Sequence, residues 1–415
     1  MRLKAPYKSG NLFLLGRTLP VINWIINVPD EMVASAVSLG YKPLGSSPPL
    51  LVSHEPKPIS GRKKIVHLQL RMSVGGAERV CQQIVNYSPP DWEHEIITVY
   101  KGNMQGREFR VKCPVTRLNQ VGEVGQVDLQ VVVNAIEKAE ASIICYALFG
   151  SWLTDPLFAM LNQGYQYVRV WHALNEFIGH YTVGPNQNFV ATNKSLVSKV
   201  SSALPDATRL INNGVDLELY QPSDSGPPQV DTIGTVARIH DTKRLDLFGV
   251  VCRKVASITR RPLRALLIGE CTYGHEWVLS DLGIQLAGHP NIALEAVHDQ
   301  EGLAPWYRKM SVYVMTSELE GMPLAILEAS SCGVPCISSN IGGISDFLPN
   351  DMLYGFGDTD TCAKLVSNLL NDKVAWTAAS KQARKLAEGR DINVIISQYY
   401  ELFEKAYQNA CRNRT

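Results

Sequence analysis

Along most of the chain, short apolar runs alternate with longer segments whose apolar residues recur every three or four positions. The short runs are rich in Val and Ile, which is typical of parallel strands buried on both faces. The longer segments have the period of amphipathic helices. This strand–helix alternation occurs twice along the chain, so it predicts two domains that are each built on a parallel sheet. In such sheets ligands bind beyond the carboxyl ends of the strands, which places the expected site in a cleft between the domains.

The predicted strands fall into two groups, which set the domain boundaries. The first domain is predicted over residues 61–220, with strands at Lys64–Leu70, Glu95–Tyr100, Ser142–Tyr146, Tyr167–His172 and Asn188–Thr192. The segment Gln221–Val230 has the Pro, Gly and Ser content of a linker. The second domain is predicted over residues 221–391, with strands at Thr232–Val236, Arg264–Ile268, Ile292–Leu294, Val312–Thr316 and Cys336–Ser339. A long helix is predicted over residues 392–415.

The first sixty residues lie outside this alternation and predict a small α+β module with a linker. A strand pair is expected around Asn11–Val28, followed by a helix over Asp30–Leu39 that Gly40 ends. The apolar face of that helix is expected to pack against the rest of the module, and docking of a partner protein is the alternative. The run Leu19–Val28 is too short to span a bilayer and carries two asparagines, so no transmembrane helix is expected. Pro29 and two acids follow this run in place of a signal-peptide cleavage site.

Composition narrows the class of protein. The chain has 415 residues with 45% hydrophobic content, which is enough for two cores. Its 40 Lys and Arg residues nearly balance its 39 Asp and Glu residues, so a global affinity for polyanions is not expected. The nine cysteines are odd in number and scattered, which favours a reducing compartment and hence a cytoplasmic location.

The segment Ser317–Pro349 carries the chemistry. It places Glu320 and Glu328 eight positions apart across a predicted strand-to-helix turn. Gly321 is expected to turn the chain, Pro323 to occupy the first helical position, and a glycine ten residues later to end the helix. Glu328 falls among apolar and small residues, where an unpartnered carboxylate is costly. A polar partner for Glu328 is therefore expected.

Two further segments offer groups that suit an anionic ligand. Arg238 and Lys243 follow a predicted strand, and this pair can neutralise a diphosphate, although a solvated basic turn is the alternative. Gly75 and Gly76 lie between a predicted strand and helix, where backbone can approach a ligand closely. Neither a G-x-G-x-x-G nor a G-x-x-x-x-G-K-[ST] sequence occurs, which counts against a nicotinamide enzyme or a nucleotide triphosphatase.

Together these motifs resemble the retaining glycosyltransferases of family 4, which have the GT-B fold and an E-x7-E motif. The other matching segments are His67–Val80, Ile211–Pro222, Gly234–Phe248 and Ala265–Glu270. The resemblance implies two Rossmann-like parallel-sheet domains that face a central cleft, with a carboxy-terminal helix that crosses back to the first domain. The sequence departs from the family pattern at two places. Asp346 stands where the family often has Glu, and the loop Gly269–Trp277 differs from the usual Gly-rich turn, so the identity of the nucleotide stays open.

The resemblance also implies a residue-by-residue site. Glu320 is expected to bind the hydroxyls of the donor sugar, Glu328 those of the ribose, and Arg238 and Lys243 the diphosphate. His172 is expected to face the donor sugar, with a core histidine as the alternative. The predicted catalytic residues are His172, Arg238, Lys243 and Glu320. The predicted donor-binding residues are Gly75, Gly76, Asn213, Gly214, Arg238, Lys243, Gly269, Glu320, Gly321, Met322, Pro323, Leu324 and Glu328.

The predicted activity is transfer of a sugar from a nucleotide sugar to an acceptor hydroxyl, with retention implied by the family. UDP is the default nucleotide and GDP stays open. The acceptor is expected to be a glycan, a protein or a small molecule. A modified nucleic acid, a nucleotide-sugar epimerase and a catalytically silent scaffold are the alternatives. No cofactor and no metal are expected in the reaction, because the one D-x-D sequence, Asp358–Asp360, suits a helix cap better.

Overall fold

The structure is a computed structural model of the chain. It describes the backbone of five short strands within residues 2–43 and then residues 62–72, 75–100, 109–120, 127–147, 157, 161, 165–172, 187–201, 208–223, 226, 228–271, 275–287, 289–297 and 302–412. The chain divides into two compact units, Met1–His54 and Glu55–Thr415.

The first unit contains one antiparallel sheet in the order β2-β3-β4-β1-β5. Its strands are β1 (Arg2–Lys4), β2 (Ser9–Leu14), β3 (Arg17–Ile22), β4 (Ile25–Asn27) and β5 (Lys42–Pro43). Where a strand pair was predicted around Asn11–Val28, the structure has three strands, β2, β3 and β4. The predicted helix over residues 30–39 lies outside the described residues.

The second unit begins with a seven-stranded parallel sheet in the order β12-β11-β10-β9-β6-β7-β8. Its strands are β6 (Lys64–Gln69), β7 (Glu93–Tyr100), β8 (Val115–Gln120), β9 (Ile143–Tyr146), β10 (Gln166–Trp171), β11 (Gln187–Ala191) and β12 (Thr208–Leu210). The described helices of this domain are α1 (Gly76–Asn86), α2 (Leu129–Lys138) and α3 (Lys194–Ser201).

A six-stranded parallel sheet follows, in the order β15-β14-β13-β16-β17-β18. Its strands are β13 (Asp231–Val236), β14 (Leu263–Ile268), β15 (Ile292–Val297), β16 (Val312–Met315), β17 (Cys336–Ser339) and β18 (Leu353–Tyr354). Its helices are α4 (Leu245–Thr259), α5 (Glu276–Leu286), α6 (Leu303–Tyr307), α7 (Leu324–Ser331), α8 (Thr359–Asn371) and α9 (Lys373–Glu388). The prediction of two Rossmann-like parallel-sheet domains is confirmed.

Two stretches of chain connect the domains of the second unit, and they are hydrogen-bonded to each other. The first runs from β12 to β13, and the second leads from α9 into α10 (Ile392–Arg412). The amide of Val215 donates to the carbonyl of Arg390 at 2.9 Å, and the amide of Ile392 donates to the carbonyl of Val215 at 2.9 Å. The predicted domain boundary at residues 220 and 221 lies in the first of these stretches. We refer to this pair of bonds as the hinge bridge.

The long helix α10 returns to the first domain and packs on β9, β10 and α1. Tyr400 donates its hydroxyl proton to the carbonyl of Ile84 at 2.9 Å and lies 2.8 Å from Nε2 of His94. Because tyrosine has one hydroxyl proton, His94 must donate through Nε2 and accept through Nδ1 from His67, at 2.9 Å. Burial lowers the pKa of His94 to about 4, which fits this neutral form. None of the helices in the described ranges has the length and apolarity needed to cross a bilayer.

Arg384 on α9 fastens the first connection to the second domain. Its Nη1 donates to the carbonyls of Ser331 at 2.8 Å and Tyr220 at 3.0 Å, and to the hydroxyl of Ser331 at 3.0 Å. The hydroxyl of Ser331 itself donates to the carbonyl of Tyr220 at 2.7 Å. One guanidinium therefore bonds the carbonyls of Ser331 and Tyr220 together, and its charge strengthens both bonds.

We expect Arg384→Ala to lower the free energy of unfolding by about 2–3 kcal/mol, because it removes charge-assisted bonds to buried carbonyls. Urea denaturation followed by circular dichroism measures this loss. Lys381→Ala is the matched control, since Lys381 lies on the same helix and is exposed. Equal unfolding midpoints for the two variants would show that Arg384 does not fasten the connection.

Candidate functional site

The carboxyl ends of the strands in the two parallel sheets face each other across a cleft. The side-chain amide of Asn213, after β12, donates to the carbonyl of Met322, after β16, at 2.6 Å. On another pair of loops, Asp346 accepts the amide of Lys194 at 2.7 Å, at the start of α3. These bonds join residues that follow strands of different sheets, so the cleft lies where parallel sheets bind their ligands.

The predicted acidic turn forms the floor of the cleft on the second domain. The carbonyl of Gly321 accepts the amide of Gly343 at 2.8 Å. Gly342 has a φ of 56°, and a Cβ there would lie 2.0 Å from the carbonyl oxygen of Glu320. Only glycine therefore fits between the two turns. At the other end of the helix, Gly333 has a φ of 72° and follows α7 as predicted.

Lys243 and Glu320 form an ion pair inside this cleft. Nζ of Lys243 lies 2.6 Å from Oε1 of Glu320, and the two side chains are 18% and 11% exposed. The backbone places them together, because the hydroxyl of Thr316 donates to the carbonyl of Lys243 at 3.1 Å and the amide of Glu318 donates to the carbonyl of Thr242 at 3.0 Å. The structure thus brings together two of the predicted catalytic residues.

Arg238 lies on the same loop as Lys243 and is exposed. Its positive charge counteracts the burial that raises the pKa of Glu78, and Arg71 acts in the same direction. Glu78 belongs to the first turn of α1, in the first domain. Arg238 of the second domain is therefore near enough to Glu78 of the first domain for their charges to interact, and its side chain is exposed.

Glu328 is 5% exposed and has the polar partners that its sequence context demanded. Tyr307 donates its hydroxyl to Oε2 at 2.8 Å, and Tyr220 also hydrogen-bonds to the carboxylate. Burial raises the pKa of Glu328, while the charge of Arg79 on α1 and the two tyrosines oppose this rise. Arg79 reaches across from the first domain, so both domains contribute to the environment of this carboxylate.

The glycine loop of the first domain leads into α1 as predicted. Gly75 precedes the helix in extended backbone, and the helix begins at Gly76, where a Cβ would meet open space. Gly214 is different, because a Cβ there would lie 2.9 Å from Ile392 in the hinge region. Gly269 is also packed, with a Cβ position 1.8 Å from the carbonyl oxygen of Ala237. These last two glycines permit close backbone packing.

His172 directly follows β10, at the carboxyl edge of the first sheet. Burial lowers its pKa to about 4. The imidazole is therefore neutral near pH 7, where it can exchange hydrogen bonds with a ligand but supplies no positive charge.

Pro323 corrects one detail of the prediction. It precedes the helix with a ψ of 123°, and α7 begins at Leu324, so the proline is the cap and not the first helical residue. The physical reason is that the carbonyl of Met322 is bonded to Asn213 and does not enter the helix ladder. The side chains of Met322 and Leu324 are buried in the core, which leaves their backbone as the part that can face a donor.

Sequence reasoning missed the residues that enclose Glu328 from a distance along the chain, namely Arg79, Tyr220 and Tyr307. Of these three, only Arg79 could have been suspected from the sequence, because it is a cation close to the glycine pair.

Asp358 accepts the amide of Thr361 at 3.0 Å, which confirms its predicted role as a helix cap. Within the described residues, the group with metal-ligating side chains close together is His240, Asp241 and His275.

The second domain matches a known family. Residues 230–372 match the family described as "Glycosyl transferases group 1". The sulfoquinovosyl transferase SQD2 of Arabidopsis thaliana is 28% identical over 257 residues, which are 58% of this chain and 45% of that protein. A D-inositol 3-phosphate glycosyltransferase of Thermobispora bispora is 26% identical over 230 residues, which are 51% of this chain and 53% of that protein. The chain thus spans about half the length of these curated relatives.

Solved structures show the same fold across both domains. A sucrose-phosphate synthase from Thermosynechococcus elongatus aligns with a TM-score of 0.66 at 17% identity, over 84% of this chain and 100% of that one. Anabaena Alr3699/HepE, solved in complex with UDP and glucose, aligns with a TM-score of 0.64 at 18% identity, over 83% of this chain and 100% of that one. The predicted GT-B architecture is confirmed by this likeness.

We expect Glu328→Gln to stabilise the ligand-free protein near neutral pH. A carboxyl whose pKa is raised on folding contributes most to stability below its unfolded pKa, and that contribution is lost as pH rises through the folded pKa. The amide retains an acceptor for Tyr307 but carries no buried charge. The variant's advantage should therefore grow as pH rises from the unfolded pKa of a glutamate, about 4.3, through the raised folded pKa, by about 1.4 kcal/mol for each unit of pKa shift.

Thermal unfolding of both proteins across this pH range measures the difference. Glu388→Gln on α9 is the control, since its side chain is 54% exposed and should show no such trend. A stability difference between Glu328→Gln and wild type that stays constant with pH would contradict the assignment of a raised pKa.

Proposed function

We propose that this protein transfers a sugar from a UDP-sugar to an acceptor hydroxyl with retention of the anomeric configuration. The observation that carries the proposal is the Lys243–Glu320 pair, held at 2.6 Å in a cleft between two parallel sheets. This pair offers one cation for a phosphate and one carboxylate for a sugar. The family match over residues 230–372 and the likeness to Alr3699/HepE, solved with UDP and glucose, support the same reaction class.

The departing diphosphate is the first requirement of the reaction. As the bond between the anomeric carbon and the phosphate oxygen breaks, negative charge accumulates on the leaving group. Lys243 has three N–H donors, so it can keep Glu320 and also bind a phosphate oxygen. Arg238 is exposed on the same loop and can bind two phosphate oxygens with its planar guanidinium. These two cations supply the charge for which other transferases use a metal, so we propose a metal-independent reaction without a cofactor.

Two carboxylates position the donor. Glu320 binds hydroxyls of the sugar, and Lys243 fixes the orientation of its carboxylate. Glu328 binds the ribose hydroxyls. A carboxylate can accept about four hydrogen bonds, and Tyr307 and Tyr220 donate two of them, so Glu328 can still accept bonds from two hydroxyls. Arg79 stabilises its negative charge from the first domain. In this proposal the sugar and the ribose of the donor are each held by one carboxylate, and the diphosphate between them is held by the two cations.

The acceptor enters from the first domain, where α1 and His172 border the cleft. Its hydroxyl oxygen forms the new bond to the anomeric carbon on the face that the diphosphate leaves. The hydroxyl proton passes to a phosphate oxygen of the departing nucleotide, so no carboxylate nucleophile is needed. Neutral His172 orients the donor sugar through a hydrogen bond. A glycan, a protein or a small molecule is the proposed acceptor class.

The experiment follows release of free nucleotide from UDP-, GDP-, ADP- and TDP-sugars, without acceptor and with excess chelator. We expect slow release from a UDP-sugar by the wild type. Lys243→Ala should reduce turnover by roughly tenfold or more, because the leaving group loses a cation. Arg253→Ala is the control, since Arg253 is an exposed cation on α4. Wild-type turnover in Lys243→Ala would remove the phosphate role.

Other outcomes separate the competing functions. Conversion of the donor into a different nucleotide sugar without acceptor would identify an epimerase. Absence of both nucleotide release and thermal stabilisation with every donor would identify a silent scaffold. Steep salt dependence of binding to a polynucleotide would instead favour a nucleic-acid acceptor.

Deletion of residues 1–60 should leave nucleotide release within a factor of about two of the full chain. The reason is that residues 1–54 and 55–415 form separately compact units. The same release assay measures this, with circular dichroism as the check on folding. Loss of release by a folded truncated protein would show that the amino-terminal unit helps to build the cleft.

A further inference from the structure

A cluster of metal-ligating side chains lies beside the proposed phosphate loop and has no part in the proposed reaction. It comprises His240 and Asp241, between β13 and α4, and His275, at the start of α5. Each residue offers one ligand atom, and these atoms all lie within 4.8 Å of one another. The two imidazole rings lie 4.1 Å apart at their centroids.

The three side chains are held by local structure. Asp241 opens a short 3-10 turn, where Nδ1 of His240 lies 2.5 Å from Oδ1 of Asp241. Backbone bonds fix the loop next to β14, since the amide of Ile239 donates to the carbonyl of Glu270 at 2.8 Å. Two loops that follow neighbouring strands thus bring the side chains together.

One atom of the cluster lacks a partner within the described part of the chain. Nδ1 of His275 is inaccessible to solvent and has no hydrogen-bond partner there. A buried ring nitrogen without a partner carries a desolvation cost, and coordination to a cation is one way to satisfy it. This observation is independent of the spacing of the cluster.

Acidic side chains also border the cluster on the side of Asp241. Asp241 borders a separate surface pocket of about 520 Å³ within the second domain. Four acids and one arginine line this pocket, namely Asp241, Arg244, Asp246, Asp281 and Glu318. Arg244 is neutralised by Asp246 at 2.7 Å and by Glu318 at 3.8 Å. Lys243 is on the same loop as the cluster, and its charge is paired with Glu320.

We propose that His240, Asp241 and His275 bind a divalent transition-metal ion, with Zn²⁺ as the best match. Two imidazoles and one carboxylate are a known ligand set for zinc, which leaves a fourth position for water or another ligand. At metal–ligand distances of about 2.0–2.2 Å, tetrahedral ligands lie about 3.4 Å apart. The longest separation in the cluster must therefore shorten by up to about 1.4 Å, and His240 and Asp241, which are already in contact, need only change the atoms they present.

The bound ion joins the loop after β13 to the start of α5. The first of these carries Arg238 and Lys243, so the metal acts as a structural clamp behind the phosphate loop. It differs in role from a metal that binds the diphosphate directly. The proposed transfer reaction can therefore fail its own test while this site still binds an ion, and the reverse also holds.

The experiment titrates the full-length protein, purified without a polyhistidine tag, with Co²⁺ alone and then displaces it with Zn²⁺. We expect one Co²⁺ per chain, with the visible ligand-field bands of a four-coordinate site. Sulfur-to-cobalt charge-transfer bands should be absent, because the cluster contains no cysteine; this distinguishes it from binding by the nine free thiols. Zn²⁺ should abolish the bands and raise the thermal unfolding midpoint.

Two variants and one control make the test specific. His275→Ala and Asp241→Asn should each weaken Co²⁺ binding at least tenfold, and Asp241 is exposed enough for its variant to fold. His289→Ala is the control, because His289 is a half-buried histidine at the far end of α5. Absence of Co²⁺ binding by the wild type overturns the proposal, as does equal loss in His289→Ala or unchanged binding in folded Asp241→Asn.

Discussion

The hinge bridge is the constraint on which the geometry of the cleft depends. The chain passes between the two sheets twice, and hydrogen bonds of Val215 with Arg390 and Ile392 tie these passages together at one point. Two connections joined in this way form the kind of junction at which a few residues can act as a hinge between domains. The contacts Asn213–Met322 and Lys194–Asp346 add side-chain bonds between the two domains.

The proposed role of Glu328 has a cost in folding stability, because its carboxylate is buried. A buried acid with a raised pKa opposes folding at neutral pH, and two tyrosines and Arg79 offset only part of this cost. An apolar residue there would stabilise the core but would leave no acceptor for hydroxyl groups. The cleft therefore combines a destabilising element on α7 with compensating contacts elsewhere, such as those of Arg384.

Local patterns predicted the fold well because buried parallel strands are nearly continuous apolar runs. In the two parallel sheets, the strands they missed are the edge strands β8, β12 and β18. For example, β8 reads VTRLNQ and has half-buried and exposed residues, so it lacks an apolar run. The acidic pair was predicted from its spacing across a strand-to-helix turn, and the basic loop from its place directly after β13. The enclosure of Glu328 was not, because Arg79, Tyr220 and Tyr307 are far apart in sequence and only the assembled domains bring them together. The position of Pro323 also depended on a contact from the other domain, through Met322.

Gly342 shows how a residue without a functional side chain can determine the geometry of the candidate site. Its α-carbon lies against the backbone of Glu320, with no space for even one methyl group. Any other residue would displace the acidic turn and with it the carboxylate paired with Lys243. Substitution of this glycine should therefore disturb the pair as surely as substitution of either charged residue. Its invariance among functional variants would reflect steric exclusion, and no ligand would need to touch it.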